Sequence, residues 1–445
     1  MVRFNENNEV ITKETYKAIL VAVQTNEDIT YSMEELTGLA EAADVEVLGQ
    51  MIQNLDKPNR VTYIGKGKVE ELAEMCETME ADAVIFNNEL SGIQLRNLEE
   101  QLNVKVIDRT ILILDIFASR AVTGEGKLQV ELAQLQYRLP RLIGFGKSLS
   151  RLGGGIGTRG PGEKKLETDR RHIAKRMDDI KAEIVKMRST RSTQRAKRER
   201  SDIPVVALVG YTNAGKSAMM NKMLEVAGHG NEEKVVFEKD MLFATLDTSQ
   251  RRIKLDNNNE FILIDTVGFV SKLPHSLVSA FKATLEEVTY ADLLLHVVDV
   301  SYENHDFHIE VTEQVLKEIG AGDKEKLIVC NKCDLLPDAL LGGEPGAAVA
   351  CVMPDASAPA KAASDYVFVS AKTGKGIENL IEKIKLKIFD DRITATFLIP
   401  YDKGDISSHL CEKAEVFSME YKENGTLMNV CVTNADYNRF KQYEQ

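Results

Sequence analysis

Short apolar runs alternate with amphipathic stretches along the first part of the chain. The runs at residues 18–23, 83–86 and 104–107 have the length of buried strands, and residues 69–79 carry apolar side chains at helical spacing. Alternation of this kind is typical of a parallel sheet covered by helices. It predicts an N-terminal α/β domain over residues 1–125.

Helical spacing dominates the next segment. Leucines recur every three or four positions over residues 128–139, and the helix that they predict ends at Pro140. A glycine-rich stretch follows, and a second apolar stripe at helical spacing then covers residues 166–187. Two long helices around a Gly- and Arg-rich loop predict a helical hairpin with a linker over residues 126–200, in which the apolar stripes form the seam.

A second α/β pattern covers residues 201–390, interrupted at 340–363 by an Ala-, Gly- and Pro-rich stretch that has too few large apolar residues to build a core. Residues 391–445 contain β-like runs and predict a small C-terminal α/β domain. The predicted fold class is therefore α/β throughout, with the helical hairpin between the first two domains.

Bulk composition limits the classes of function. The chain has 445 residues, which is enough for about two to four domains, and its 43% hydrophobic and 28% charged residues are those of a globular protein. No apolar run reaches the roughly 18 to 20 residues that cross a bilayer, and the first residues lack a secretory pattern. We therefore expect a cytoplasmic protein without a membrane span.

Charge is distributed unevenly along the chain. The formal net charge is −13, yet residues 138–200 hold 19 Lys and Arg against 7 Asp and Glu. An acidic average disfavours a nucleic-acid partner, but this one segment is basic enough to contact RNA phosphates.

The six cysteines are scattered, which indicates reduced thiols rather than a disulfide framework. Cys330 and Cys333 have CxxC spacing, but no second pair completes a tetrahedral zinc site, so metal or redox use of this pair is disfavoured.

The clearest chemical signal begins at Gly210. A buried strand precedes the segment from Gly210 to Ser217, which reads GYTNAGKS, and a helical pattern follows it. This is a phosphate-binding loop in the context that it requires, because backbone N–H groups wrap the phosphates, Lys216 neutralises them and Ser217 ligates Mg²⁺.

The strand at residues 261–264 leads into Asp265, Thr266, Val267 and Gly268. A carboxylate at the end of that strand can hold the Mg²⁺ shell, and the N–H of Gly268 can bond the γ-phosphate. This DxxG pattern is weak alone and strong at this distance after a phosphate-binding loop.

The nucleobase is indicated by Asn331, Lys332, Cys333 and Asp334 after another buried strand. The Asp334 carboxylate can accept hydrogen bonds from N1–H and from the exocyclic amine of guanine, whereas adenine has neither donor there. The pattern selects GTP over ATP, and it explains the CxxC spacing as incidental. The backbone of the later Ser370, Ala371 and Lys372 can then meet guanine O6, which completes the ordered motifs of a Ras-like GTPase domain.

The segment from Phe243 through Ala244 to Thr245 is the predicted first switch, with the Thr245 hydroxyl as the favoured Mg²⁺ ligand and Thr248 as the competing choice. Phe269 stands where many GTPases carry a water-orienting glutamine. A phenyl ring cannot orient water, so intrinsic hydrolysis is expected to be slow and to depend on another component.

These considerations give three sets of candidate residues. The predicted catalytic residues are Lys216, Thr245 and Gly268, and the predicted metal ligands are Ser217, Thr245 and Asp265. The predicted nucleotide-binding residues are Gly210, Tyr211, Thr212, Asn213, Ala214, Gly215, Lys216, Ser217, Phe243, Ala244, Thr245, Asp265, Thr266, Val267, Gly268, Asn331, Lys332, Asp334, Ser370, Ala371 and Lys372.

Taken together with several segments outside the nucleotide motifs, the sequence resembles the HflX family of ribosome-associated GTPases. The resemblance covers nearly the whole chain and rests on the following segments: 65–68, 107–110, 115–118, 126–133, 153–167, 243–247, 265–269, 273–274 and 283–287. The sequence departs from the usual family pattern in the 340–363 insertion and at Ser249 and Gln250.

The resemblance implies binding to the large ribosomal subunit and its RNA, with GTP-dependent splitting of stalled or idle ribosomes. The alternative is a GTP-switched assembly or anti-association factor that hydrolyses GTP merely to leave. The candidate RNA contacts on the basic loop are Arg151, Arg159, Lys164 and Lys165. A solvated connector is the competing interpretation of that loop. We expect a monomer.

Two smaller signals remain open. Asn213 resembles the potassium ligand of other GTPases that carry a hydrophobic residue at the place of Phe269, so K⁺ joins Mg²⁺ as a candidate cofactor. The lysine- and glycine-rich residues 65–68 suggest a second nucleotide site in the N-terminal domain, but a turn before the next helix is favoured because no GK[ST] follows.

Overall fold

The computed structural model describes residues 3–4, 10–11, 16–25, 28–149, 161–199, 203–227, 242–243, 248–255, 259–272, 285, 287–337, 365–389 and 392–445. The chain forms two compact units. Unit 1 comprises Met1–Thr193, Lys239–Asp247 and Val270–Ala283, and unit 2 comprises Gln194–Glu238, Thr248–Phe269 and Thr284–Gln445.

Unit 1 contains a parallel four-stranded sheet. After a short antiparallel pair of β1 (Arg3–Phe4) and β2 (Val10–Ile11), the sheet strands are β3 (Tyr16–Gln24), β4 (Val45–Asn54), β5 (Ala83–Phe86) and β6 (Lys105–Asp108), in the order β4-β3-β5-β6. The helices that alternate with them are α1 (Thr30–Ala42), α2 (Lys66–Thr78), α3 (Gly92–Leu102) and α4 (Arg109–Arg120). The predicted N-terminal α/β fold is confirmed.

Burial explains the strands of this sheet. The central strand β3 is buried from Ala18 to Val23, and Val84 and Phe86 of β5 lie in the same apolar core. Helix α3 begins with a capping box in which the Ser91 side chain accepts from the N–H of Gln94 and the Gln94 side chain accepts from the N–H of Ser91.

The hairpin consists of α5 (Gly124–Leu149) and α6 (Pro161–Glu199). Its predicted seam is confirmed, because the residues of both stripes form one apolar cluster: Leu128, Leu132, Leu135, Met177, Ile180 and Ile184. Across the same seam, Arg176 donates two 2.8 Å hydrogen bonds to the Glu131 carboxylate. Residues 150–160 of the connecting loop lie outside the described residues.

The predicted helix end at Pro140 is wrong, since α5 continues through it to Leu149. A proline removes one backbone donor and strains the preceding turn, which tertiary contacts can offset. Here Tyr137 donates to Asp108 from one side of the proline, and Arg141 lies 3.3 Å from the same carboxylate on the other. Asp108 also caps α4 by accepting from the N–H of Ile111 at 2.9 Å.

Unit 2 contains a six-stranded sheet in the order β12-β11-β10-β7-β9-β8, in which only β8 is antiparallel to its neighbour. Its strands are β7 (Val205–Val209), β8 (Ser249–Lys254), β9 (Glu260–Asp265), β10 (Leu293–Asp299), β11 (Lys326–Asn331) and β12 (Tyr366–Phe368). Its helices are α7 (Lys216–Val226), α8 (His305–Ile319) and α9 (Ile377–Ile388).

The last residues form an antiparallel sheet in the order β13-β15-β14. Its elements are β13 (Ile393–Ile399), β14 (Glu415–Lys422), β15 (Gly425–Val432), α10 (Gly404–Lys413) and α11 (Asn434–Phe440). Phe397, Leu410, Met428 and Phe440 build its core. Short 3₁₀ helices lie at Cys333–Leu335, Tyr401–Lys403 and Lys441–Tyr443.

Two further sequence predictions concern the 340–363 insertion and the absence of a membrane span. The 340–363 insertion lies outside the described residues. Within the described part of the chain, no helix is both long enough and apolar enough to cross a membrane.

Candidate nucleotide-binding site

The loop between β7 and α7 has the predicted strand-loop-helix context. Gly210 has φ +145°, and a Cβ there would lie 2.2 Å from the carbonyl oxygen of Val297. Gly215 has φ +91°, and a Cβ there would lie 2.3 Å from Nδ2 of Asn331. Both positions therefore require glycine. Because α7 begins directly at Lys216, the N-terminus of this helix, an end that favours anions, lies at the end of the loop.

The side chain of Lys216 is held over this loop. Its Nζ donates to the carbonyl oxygens of Gly210 at 3.1 Å and Tyr211 at 2.7 Å. The side chain is buried, and burial lowers the pKa of Lys216 to about 8. A buried ammonium on a glycine-rich loop is an arrangement that favours bound phosphate, which would supply the missing negative charge.

Two oxygen ligands meet beside the lysine. Ser217 Oγ donates to Asp265 Oδ2 at 2.6 Å. The other carboxylate oxygen, Oδ1, is buried and has no hydrogen-bond partner among the described residues. Burial raises the pKa of Asp265, as expected for a carboxylate without a full set of partners. A hydroxyl and a partly unsatisfied carboxylate are donors that fit Mg²⁺, which prefers oxygen ligands.

The residues after Asp265 lie against the phosphate-binding loop. Thr266 Oγ1 donates to the carbonyl of Leu208 at 2.6 Å and fixes the end of β9. A Cβ on Gly268 would lie 2.7 Å from Thr212 Cα and 3.0 Å from Lys216 Nζ. Only glycine can approach this closely, so the backbone of Gly268 lies directly against the phosphate-binding loop and its lysine.

Phe269 continues this contact. Its N–H donates to the carbonyl of Gly210 at 3.2 Å, and its carbonyl accepts from the N–H of Thr212 at 2.8 Å. The phenyl ring is buried. The side chain that stands in the place of a water-orienting glutamine is thus part of the packing and has no group that could orient water.

Asn331 connects three loops of the site. Its Nδ2 donates to the carbonyl of Ala214 at 2.8 Å, and its Oδ1 accepts from the N–H of Ala371 at 3.0 Å. The next residue, Lys332, has φ +61° and forms an ion pair with Asp299 at 2.6 Å. This pair was not identified from the sequence, although a carboxylate at the end of a buried strand was the available signal.

Guanine recognition was predicted for Asp334 and for the turn at residues 370–372. Asp334 is exposed, so its carboxylate is accessible to a base. The turn after β12 is closed by Ser370, whose Oγ accepts from the N–H of Thr373 at 3.1 Å and whose N–H donates to the carbonyl of Lys375 at 2.9 Å. Lys372 is exposed at the tip of this turn.

The two cysteines of this segment are buried and carry free thiols. Burial raises the pKa of Cys330 to about 12 and also raises the pKa of Cys333. Such thiols pack as small apolar side chains and react poorly.

A second feature that sequence reasoning missed lies behind Tyr211. Its ring stacks on the imidazole of His308 at 4.0 Å between centroids, and Tyr302 lies on the same imidazole at 5.1 Å. No sequence pattern predicted that His308 of α8 would meet a tyrosine of the phosphate-binding loop.

The remaining predicted nucleotide-binding residues belong to the first switch and to the phosphate-binding loop. Phe243 belongs to unit 1, where it packs against Phe117, so the described contacts do not place it with the phosphate-binding loop. Ala244 and Thr245 lie outside the described residues. Asn213 has φ +61° within the loop, a conformation that asparagine tolerates.

The basic segments are only partly described. Arg151 and Arg159 lie outside the described residues, and Lys164 and Lys165 lie in the first turns of α6. In residues 65–68, Gly65 is the N-cap residue of α2, and the two lysines form ion pairs with acidic residues of the same helix.

Three families match consecutive parts of the chain. Residues 30–118 match a family described as GTP-binding GTPase N-terminal, and residues 120–198 match one described as GTP-binding GTPase Middle Region. Residues 205–332 match a family described as 50S ribosome-binding GTPase.

Curated relatives cover almost the whole chain. A GTPase HflX of Caldanaerobacter subterraneus is 44% identical over 98% of this chain and 95% of the relative. The GTPase HflX of Escherichia coli is 38% identical over 96% of this chain and 96% of the relative. Among solved structures, a GTP-binding protein of Sulfolobus solfataricus in complex with GDP is 25% identical, with a TM-score of 0.43, over 84% of this chain and 99% of that chain.

Proposed function

Because this chain belongs to the HflX family of GTPases, which bind and hydrolyse GTP, we propose that its GTP cycle acts on the large ribosomal subunit and splits stalled or idle ribosomes. The observation that carries the proposal is the match of residues 205–332 to a family described as 50S ribosome-binding. The basic residues of 138–200 support it, because 19 cationic side chains against 7 acidic ones suit a phosphate-rich partner.

The proposed roles in the nucleotide site follow from the geometry above. Residues 210–217 wrap the phosphates, with Lys216 as the cation, and Gly268 donates its N–H to the γ-phosphate. Asn331 orders the loops around the base, and Asp334 accepts from guanine.

Nucleotide-bound Mg²⁺ is general to the P-loop GTPase fold. In this chain we assign it to Ser217, Asp265 and the first-switch residue Thr245. When bound there, the ion would supply positive charge beside the phosphates of the nucleotide. Asn213 is the proposed K⁺ ligand, by its resemblance to other GTPases.

The functional division of the chain is part of the same proposal. The N-terminal domain covers residues 1–125, the hairpin and linker 126–200, the GTPase domain 201–390 and the C-terminal domain 391–445. We further propose that the protein works as a cytoplasmic monomer and that Arg151, Arg159, Lys164 and Lys165 contact ribosomal RNA.

Sedimentation with ribosomal particles tests the proposed partner. Purified protein is mixed with small subunits, large subunits or intact ribosomes, in GDP or in a non-hydrolysable GTP analogue. We expect it to sediment with large subunits in the GTP analogue and much less in GDP. Equal recovery with small and large subunits, or none with either, would remove the proposal.

Light scattering of intact ribosomes separates splitting from the alternative of a GTP-switched assembly or anti-association factor. A splitting factor lowers the scattering of preformed ribosomes when GTP is added. A factor that only prevents association leaves preformed ribosomes intact but blocks the rise in scattering when separated subunits are mixed.

A further inference from the structure

The sheet of unit 1 has a crevice of the kind in which α/β folds bind ligands. From the central strand β3 the chain moves to β4 on one side, and it then crosses to β5 on the other. Open α/β sheets bind ligands outside the carboxyl ends of their strands at such a reversal. Asn87 follows β5, and Arg109 follows β6 at this edge.

In this protein the crevice is contacted by the chain's own switch. Residues 270–272, which directly follow the DxxG motif and Phe269, belong to unit 1. Lys272 lines the same cavity as Asn87 and Arg109, and its Nζ donates to Ser32 Oγ of α1 at 3.1 Å.

A buried ion pair holds Ser271 there. The side chains of Arg109 and Glu35 are each 2% exposed and are joined by a salt bridge. Arg109 donates to the carbonyl oxygen of Ser271 at 3.2 Å and to its Oγ at 3.1 Å. Ser271 in turn donates from Oγ to Glu35 Oε2 at 2.5 Å, and its N–H lies 3.4 Å from Glu35 Oε1. Asn87 fixes the guanidinium by accepting from it at 3.0 Å.

The same short segment is fixed at its other end. Phe269 exchanges backbone hydrogen bonds with Gly210 and Thr212 of the phosphate-binding loop. Only Val270 separates Phe269 from Ser271, and Val270 is buried. Ser271 is thus only three positions from Gly268, whose backbone lies against the phosphate-binding loop.

The first switch shows an independent contact with unit 1. Phe243 is buried and packs edge-on against Phe117 of α4, with ring centroids 4.6 Å apart. Leu242 lies against Gly38 of α1, where an added Cβ would be 3.2 Å from its Cδ1. Residues next to both predicted switches are thus seated on the same unit.

We propose that Arg109 and Glu35 are positioning residues for GTP hydrolysis, which hold Ser271 and thereby set the position of Gly268. The proposal rests on the γ-phosphate role assigned above to Gly268. Charge-assisted hydrogen bonds between buried groups are the strong ones, so this pair can define the position of a short segment that backbone bonds alone leave adjustable. The natural ligand of the N-terminal crevice is then the GTPase switch itself.

Ser271→Ala is the first test, because it removes the hydroxyl and leaves the buried ion pair intact. Single-turnover hydrolysis by the full chain, without ribosomes, is expected to slow by about 10- to 100-fold, the loss that a displacement of about 1 Å produces. GDP affinity should stay the same, since GDP lacks the γ-phosphate. Ser271→Thr, which keeps the hydroxyl, should retain most of the rate.

Ser119→Ala is the matched control. Ser119 lies in the same unit and donates to the carbonyl of Ile116 at 2.8 Å. The Ser119→Ala variant should hydrolyse GTP at the wild-type rate.

The ion pair is tested by removing both charges. Loss of one partner would leave a buried charge unpaired and could unfold the unit, whereas apolar replacement of both often preserves folding. The double variant Glu35→Leu with Arg109→Met should slow hydrolysis as Ser271→Ala does. Adding Ser271→Ala to it should produce no further loss, because the three residues act as one unit.

Three results would overturn the proposal. Unchanged hydrolysis in both Ser271→Ala and the double variant would show that the pair does not position the switch. Faster hydrolysis in these variants would show that the contacts of Ser271 with Arg109 and Glu35 inhibit GTP hydrolysis instead of supporting it. A parallel loss of GDP affinity would indicate general damage to the nucleotide site. The assay contains no ribosomes, so its outcome does not depend on the proposed ribosomal role. Slower hydrolysis in the Ser271 and ion-pair variants, with unchanged GDP affinity, would support this proposal even if that role proved wrong.

Discussion

Asn331 and Asp334 occupy one short motif but act in different ways. Asn331 is buried and uses its amide to join the loops that begin at Ala214 and Ala371. Asp334 is exposed and has its carboxylate free to meet a base from solution. Substitution of Asn331 would therefore disturb the site's architecture, whereas substitution of Asp334 isolates base recognition.

Asp334→Asn should change the preferred base. The amide replaces a carboxylate acceptor with a donor that faces the donors of guanine, which costs about 2 to 4 kcal/mol in GTP affinity. Xanthosine triphosphate, which has a carbonyl in place of the amine, should gain affinity correspondingly. Competition binding measures both changes. Asp323→Asn, at an exposed loop position in the same unit, is the control, and an unaltered preference for GTP in Asp334→Asn would contradict the assignment.

His296 gives the GTPase sheet a dependence on pH. It is buried in β10, its Nδ1 lies 3.7 Å from Glu313 Oε1, and Lys326 donates two hydrogen bonds to the same carboxylate. Burial lowers the pKa of His296 below 6.5. The His296 imidazole together with Lys326 lowers the pKa of Glu313 from 4.5 to about 2.

His296 and Glu313 both make the folded state less stable as the pH falls, but over different pH ranges. Below pH 6.5 the unfolded imidazole takes up a proton that the folded one does not, so folding weakens as the pH falls through that value. The contribution of Glu313 is complete above 4.5 and is lost only as the pH falls towards 2.

His296→Gln should flatten this dependence between pH 7 and pH 5, a range set by the ordinary pKa of about 6.5. The thermal unfolding midpoint of the wild type should fall more over that range than the midpoint of the variant. His409→Gln provides a histidine-to-glutamine control in the small C-terminal sheet. An identical pH profile for wild type and His296→Gln would contradict the argument.

The hairpin joins two kinds of surface on one pair of helices. Its seam is apolar, through Leu132, Ile180 and Ile184, and the sequence of the same segment is rich in basic residues. Asp108 attaches α5 to the sheet through Tyr137 and Arg141. The buried Asp108 carboxylate therefore fixes α5 to the sheet, and the function of the basic residues has to be tested in solution.

Alanine at Arg151, Arg159, Lys164 and Lys165 should change how ribosome binding responds to salt. If each side chain neutralises one RNA phosphate, the slope of log affinity against log salt should fall by up to about four contacts' worth of counterion release. GTP affinity should stay constant, because these positions lie outside the nucleotide motifs. Sedimentation with large subunits across a salt titration measures the slope.

The matched control removes four cations from exposed positions elsewhere: Lys57, Arg60, Lys403 and Lys413. It has the same change in net charge and should leave the slope unchanged. If the loop variant and the control behave alike, the loop is a connector and the RNA contact lies elsewhere.

For the whole molecule, we expect GTP hydrolysis to require a component that the chain itself does not supply. Phe269 is buried against the phosphate-binding loop and cannot orient a water molecule. Turnover by the isolated protein should therefore be slow, and large ribosomal subunits should accelerate it. Multiple-turnover hydrolysis with and without large subunits tests this, and equal rates would mean that the chain supplies the missing group itself.

A monovalent cation is a second component that could accelerate GTP hydrolysis. If Asn213 ligates potassium, hydrolysis should be faster in potassium chloride than in sodium chloride at equal ionic strength. Equal rates in the two salts would remove K⁺ as a cofactor and leave the ribosomal stimulation untouched.

The sequence by itself was sufficient for features that depend on short spacings. The phosphate-binding loop, the DxxG segment and the base motif each need a few residues in a fixed local conformation, such as glycine at Gly210 and Gly215. The alternation of apolar runs likewise predicted both α/β sheets, because burial of a strand or helix face depends on side chains near each other in the chain.

Only the tertiary structure decided which distant residues meet. Glu35 and Ser271 are 236 residues apart and share a hydrogen bond, and Asp299 meets Lys332 through neighbouring strands. Helix α5 passes through Pro140 because Asp108, far back in the chain, anchors it on both sides. Local patterns carry no record of such pairs, since the free energy that forms them comes from groups that are brought together only when the sheets and helices pack.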